Sequence, residues 1–235
     1  MKVAMHQPNY LPYPGFFAKL HLSDIFVIYD TAQFTRGDFF NRNRIRTFSF
    51  NGYMWLTLPV GKRNFTGVAI RDVSILDKGV FSKHSKTLKV MYLKAPFFDE
   101  KICEIVKIPH KNLAEHNIFI IRYLLNKLKI SPPRIVFASE LGIPIRHSTQ
   151  GLVDIVKALK GDEYISGTGA KAYINQELFR KESIGLSFID YKPLQYPQIH
   201  PGFVENMSIV DTIFNIGWEN AASKLKETKT QPCNI

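Results

Sequence analysis

Little in this chain invites covalent or metal chemistry. Of its 235 residues only two are cysteine. Cys103 and Cys233 stand far apart, which excludes a disulfide framework and a cysteine-rich zinc site and fits a reducing, cytoplasmic setting. Neither has the neighbours that mark a nucleophile. His84, His110, His116 and His147 follow no metal-ligand spacing, so no metal is expected, and no motif names a cofactor. Both the Gly-x-Ser-x-Gly elbow and the GxxxxGK[ST] phosphate loop are missing. No stretch approaches the roughly 18 consecutive apolar residues of a membrane span. The first residues lack the apolar run of a secretory signal. Acidic side chains are scarce: 20 against 31 lysines and arginines, a net charge of +11. That balance favours anionic partners, although the stretches 83–94 and 224–229 read as solvated lysine faces.

What is present is concentrated near the start. Residues 6–55 pack amides (Gln7, Asn9, Gln33, Asn41, Asn43), guanidinium groups (Arg36, Arg42, Arg44, Arg46) and aromatics at high density. Arginine forks grip planar anions through paired hydrogen bonds, so the segment reads as a site for a polar, anionic ligand. In an extended run, Asn41 and Asn43 share one face and Arg42 and Arg44 the other. The two asparagines are expected to face the ligand, with Arg36 and one of Arg42 or Arg44 as anion clamps; the competing reading is an exposed basic loop.

Lys2 to Met5 reads as a strand entering a turn at Pro8, Pro12 and Pro14. A short helix from Gly15 to Leu22 and a buried strand over residues 25–29 complete a right-handed βαβ unit. Further strands are expected at 54–60, 68–75, 135–138, 163–167 and 186–190. Helices are expected at 81–93, 117–128, from 149 to Gly161, at 170–181 and from Ser208, with Pro96 and Pro132-Pro133 as breaks. This alternation predicts an α/β fold with a mostly parallel, Rossmann-like sheet flanked by helices. One domain spans residues 1–235, and a helical middle, about 80–130, is placed as a cap over the sheet's carboxyl ends.

Those ends are where ligands bind in such sheets. His6, at the end of the first strand, can serve as a general base or simply bond to loop backbone. Asp30, after the second strand, can orient His6, accept from a ligand, or cap its own turn. Ser166-Gly167-Thr168-Gly169-Ala170-Lys171 can cradle a phosphate or carboxylate on backbone N–H groups, or form an ordinary strand-to-helix turn. His200, in Tyr-Pro-Gln-Ile-His-Pro, can face the cleft or solvent.

Four segments together resemble the WbqC-like family: QPNYLPYPGFF at 7–17, YDTAQFTRGDFFNRNRIRT at 29–47 with WLTLPV at 55–60, YISGTGAKAYI at 164–174, and YPQIHPGFVENMSIVDTIFNIG at 196–217. The resemblance puts Gln7, Tyr10, Gln33, Asn41, Arg42, Asn43, Arg44, Ser166, Gly167, Lys171, Tyr173, Gln198, Asp211 and Asn215 on motif positions. It implies a role in surface-polysaccharide and amino-sugar assembly without implying a set activity. Thr31 stands where the family often has a second acid, which weakens any metal proposal; Gly169 stands where it often has alanine. A fainter architectural likeness to nucleotidyltransferase-like proteins lacks their His-x-x-His pair.

The function expected is acyl or aminoacyl transfer to the amine of a nucleotide-linked sugar. His6, oriented by Asp30, would act as base, the arginines would hold the diphosphate, and Gln33, Asn41 and Asn43 would read sugar hydroxyls. The partner expected is therefore an anionic small molecule, a nucleotide sugar or an acyl donor. The rival is a non-catalytic binder of nucleotide sugars or glycan enzymes. Nucleic acid ranks below both, since no nucleic-acid module is visible.

Overall fold

In the computed structural model, residues 1–61, 65–76, 78–130, 134–144, 146 and 148–233 are described. Pro132, Pro133 and His147 fall outside the described residues. Six strands form the main sheet: β1 (Lys2–His6), β2 (Ile25–Ile28), β5 (Arg134–Phe137), β6 (Glu163–Ser166), β7 (Gly185–Asp190) and β8 (Lys229–Pro232). Their spatial order is β5-β2-β1-β6-β7-β8, parallel except for β8. The architecture is α/β, as the alternation of elements predicts.

The core of the sheet follows from burial on both faces. Every residue of β2 is buried, and Val3, Ala4 and Met5 of β1 lie between it and β6. Complete burial of a side chain such as Phe26 contributes about 2–3 kcal/mol. Helix α1 (Pro14–His21) begins with proline, whose missing N–H would be unpaired there anyway, and Phe16, Phe17 and Leu20 bury its inner face. α1 leads from β1 to β2, and the chain then passes outward to β5. It returns on the far side of β1 through α5 (Thr149–Ala158) to β6, and through α6 (Gln176–Lys181) to β7. Connections therefore leave β1 and β6 in opposite directions. This is a topological switch point, where the carboxyl ends of two neighbouring strands leave a crevice.

The strand expected at 54–60 forms as β4 (Tyr53–Thr57), but outside the main sheet. It pairs antiparallel with β3 (Arg42–Arg46) in a separate hairpin. The stretch 68–75 is not a strand: Ile70–Asp72 is a 3-10 turn, and Ala69, Ser74 and Ile75 make single bridges to three different segments. Its alternation reflects burial of Ile70, Val73 and Ile75 in a connector rather than a ladder. The middle is helical, with α2 (Gly79–Tyr92), α3 (Glu100–Lys107) and α4 (Leu113–Leu128), the last two capped by the Asp99 and Asn112 side chains. α7 (Ile209–Lys226) kinks at Gly217, where φ is 80° and a β-carbon would meet the Phe97 ring at 2.9 Å, so glycine is required. Lys224 and Lys226 of the basic tail end α7, and β8 follows as an antiparallel edge strand whose Pro232 pairs with Ser187. Among the described residues, no helix is long and apolar enough to cross a membrane.

Candidate functional site

A cavity of about 740 Å³ opens at the switch point. From β1 and the turn after it come Met5, His6, Gln7 and Tyr13; from α1, Lys19. The end of β6 and its following 3-10 turn supply Ser166 to Ala170, followed by Tyr173 and Ile174. Tyr29, Tyr164, Ile189 and Tyr191 close the floor and side, and Arg146, Ser148 and Thr149 stand at the start of α5. Among the described residues, none that lines the cavity is acidic.

Lys19 is the least ordinary member. It is 5% exposed, and its Nζ donates to the Met5 carbonyl at 2.7 Å. Among the described residues, no carboxylate pairs with it. Burial lowers its pKa to about 8. The sequence gives one cue, a lone cation inside a helix otherwise apolar over residues 14–18 and at Leu20. His6 stands beside it, edge-on to the Phe16 ring at 5.0 Å, with Nδ1 2.9 Å from the Gln7 carbonyl. A carbonyl only accepts, so Nδ1 carries the proton and Nε2 keeps its lone pair. Burial first, and then the Lys19 charge, bring the His6 pKa down to about 4; the Gln7 bond opposes them. At neutral pH the imidazole is uncharged. Gly167 and Gly169 have non-positive φ, and a β-carbon on either would meet nothing within 4 Å. Neither backbone strain nor crowding in the protein requires glycine there; the space is left to the cavity.

Of the residues singled out in the sequence, His6, Gln7, Ser166, Gly167 and Tyr173 converge on this cavity. Lys171 lies just past it, with Nζ 5.1 Å from the Phe188 ring centre. Asp30 does not orient His6. Its carboxylate accepts from the Ser139 backbone N–H at 3.1 Å and hydroxyl at 2.6 Å, tying the ends of β2 and β5 together. The helical middle contributes no lining residue and so does not cap this cavity.

The amide-rich segment has a different task. A turn with three prolines offers carbonyls but few backbone donors. Side-chain amides satisfy them. Asn43 donates to the Tyr10 and Leu11 carbonyls, at 3.2 and 2.7 Å, holding Leu11 at a left-handed φ of 42°. Asn117 donates to the Pro8 and Phe40 carbonyls at 2.8 and 2.7 Å, and Asn41 to that of Leu58 at 2.8 Å. Asn9 is buried in the same turn, and the Tyr10 hydroxyl lies 2.8 Å from His84 Nδ1. Gln33 is exposed and accepts from the Gly67 N–H. The arginines stack on aromatics: Arg42 over Trp55 at 4.1 Å, Arg44 over Tyr53 at 5.1 Å, Arg36 over Phe65 at 5.5 Å. None of these residues lines the cavity.

The late motif forms a second buried network. Arg46, fully buried, donates to the carbonyls of Gly52, His200, Pro201 and Gly202. Asp211, also fully buried, accepts from the hydroxyls of Tyr92 and Tyr196, both at 2.7 Å, and from Gln198 at 3.0 Å. The Tyr92 hydroxyl also accepts from the Arg46 backbone N–H. Burial raises the Asp211 pKa, while the two phenols and Arg46 act against it. Gln198 and buried His200 thus belong to a clamp that fixes the 196–204 loop between β3 and α7.

With both constellations in place, the chain can be compared with known proteins. The model of the WbqC-like protein family matches residues 7–223, which includes the clamp and the cavity lining apart from Met5 and His6. The chain belongs to the WbqC-like protein family. This WbqC-like protein is also 32% identical over 234 residues to the uncharacterized protein Rv1507c of Mycobacterium tuberculosis, covering 93% of this chain and 95% of that one. No solved structure matches it.

Proposed function

We propose that the switch-point cavity binds a nucleotide-linked amino sugar and that the protein transfers an acyl or aminoacyl group to the sugar's amine. The observation that carries this reading is Lys19: a buried ammonium that has no carboxylate partner and no acidic neighbour in the cavity lining among the described residues calls for an anion from outside. A diphosphate answers that need, with Arg146 as a second cation at the start of α5. The family's link to polysaccharide biosynthesis supports the choice of sugar. Gln7, Ser166 and Tyr173 offer the polar contacts that sugar hydroxyls require.

In the reaction proposed, the amine nitrogen attacks the acyl carbon, the bond to the leaving group breaks, and the nitrogen loses a proton. His6 Nε2 is the acceptor available for that proton. Negative charge from bound phosphates beside Lys19 draws the His6 pKa back up toward neutrality, where a base works best. The first N–H groups of the 3-10 turn at Thr168–Ala170 have no acceptor within the turn, which suits them to an oxyanion. The low resting basicity of His6 favours one competing reading, a binder without turnover.

The test is incubation with uridine and thymidine diphosphate amino sugars and thioester acyl donors, followed by mass spectrometry. An acylated sugar formed by wild type and lost in His6→Ala supports transfer. Tight sugar-nucleotide binding with no product over long incubation supports the binder, and no binding of any of them refutes the proposal.

A further inference from the structure

The hairpin β3–β4 ends in a turn that departs from ordinary surface design. Phe48 is 76% exposed, and Phe50 is 104% exposed, held out by a Gly52-to-Ser49 backbone bond. The turn sits beside the end of α2: the Phe48 ring contacts that of His200 at 4.0 Å, and His200 lies 6.4 Å from the Tyr92 ring. On either side of Tyr92, Val90 is 72% and Leu93 67% exposed. A shallow groove joins the two elements, with Met54 of β4 facing Val90 and Met91 of α2. Apolar side chains this exposed, on two adjoining elements, mark an interaction surface.

Its charge says what kind. The same groove is rimmed by Lys83 and Lys86, and Lys94 follows Leu93. Lys83, Lys86, Val90 and Leu93 recur at three- and four-residue spacing along one exposed stripe of α2. The helix carries no acidic residue. Aromatic tips that project past a basic, partly apolar helix face match the interface of an anionic bilayer: rings enter the headgroup region, and lysines meet lipid phosphates and carboxylates. A protein partner would be expected to need opposite charge and fixed pockets, whereas this surface is convex at its aromatic tip and uniformly basic at its rim.

We propose that this WbqC-like protein docks reversibly on anionic membrane surfaces through Phe48, Phe50, Val90 and Leu93, with Lys83, Lys86 and Lys94 as the electrostatic rim. The inference does not depend on the reading of the cavity, from which all seven residues are absent.

The experiment is vesicle co-sedimentation of the full chain at physiological salt. One vesicle set is phosphatidylcholine alone; the other contains about 30% phosphatidylglycerol, a fraction chosen to give the strong surface potential that the lysines would sense. Expected is binding to the anionic vesicles, at least tenfold weaker on neutral ones, and lost at high salt. Phe48→Ser/Phe50→Ser should weaken binding about a hundredfold, and Lys83→Gln/Lys86→Gln about twentyfold. Both variants should melt where wild type does, since the substituted side chains are exposed. Equal binding by wild type and the aromatic double variant overturns the proposal, as does no binding to anionic vesicles. A dimer in solution that the same aromatic substitutions dissolve overturns it too, because a second copy would then cover the patch.

Discussion

Three histidines with strongly lowered pKa values should make this protein acid-labile well above the carboxylate range. His6 and His84 have pKa values of about 4 and His116 about 3, each lowered first by burial. The geometry explains why they stay neutral. His116 is fully buried, which penalises its charged form, and the neighbouring His110 and His84 rings oppose a charge there as well. His84 Nδ1 takes the Tyr10 hydroxyl. In the unfolded chain all three titrate near ~6.5. As pH falls below that value, the unfolded state binds protons that the folded state refuses. Stability therefore drops from about pH 6.5 downward and levels only near the folded values. At pH 5 the loss is about 2 kcal/mol per histidine, about 6 kcal/mol for three. A typical domain has about 5–15 kcal/mol in total. Urea melts followed by circular dichroism at pH 7, 6 and 5 should show that loss. His116→Leu, which keeps the packing against Phe81 and Tyr10, should remove about a third of the slope. Stability unchanged between pH 7 and 5, or an identical slope in wild type and His116→Leu, would refute the reasoning.

The clamp and the cavity make further predictions. Asp211→Ala takes the acceptor from the buried Tyr92 hydroxyl and the half-buried Tyr196 hydroxyl and should cost about 3–5 kcal/mol in urea melts, whatever ligand is present. Gly167→Ala and Gly169→Ala add a methyl group only to cavity space. They should melt like wild type yet weaken nucleotide-sugar affinity severalfold by calorimetry. Affinity for an anionic ligand should hold below about pH 8 and fall above it, as Lys19 of the free protein loses its proton.

The frame of this fold is legible in the sequence because its signals are local. Ile25–Ile28 is a continuous apolar run, Pro14-Gly15 opens a helix, and the spacing between them leaves room for one crossover. The turn at Ser166–Gly169 likewise announces itself by small residues after a strand. The asparagines are another matter. Whether Asn43 faces a ligand or the carbonyls of Tyr10 and Leu11 depends on a hairpin folding back over the proline turn, a contact 32 residues apart in sequence. Arg42 and Arg44 read equally well as anion forks or as stacked groups, because guanidinium groups stack on indole and phenol rings as readily as they clamp phosphate. Lys19 carries only a faint signal, because a lysine at the end of a short helix is ordinarily solvated. Only its position over the carboxyl end of β1 buries it.

The cavity's role as an anion site can be tested at Lys19 itself. Methionine there keeps the length of the side chain and removes a buried, unpaired charge. Lys19→Met should therefore melt at or above the wild-type temperature while binding a uridine diphosphate amino sugar about a hundredfold more weakly by calorimetry at pH 7. Undiminished binding by a folded Lys19→Met protein would contradict the account.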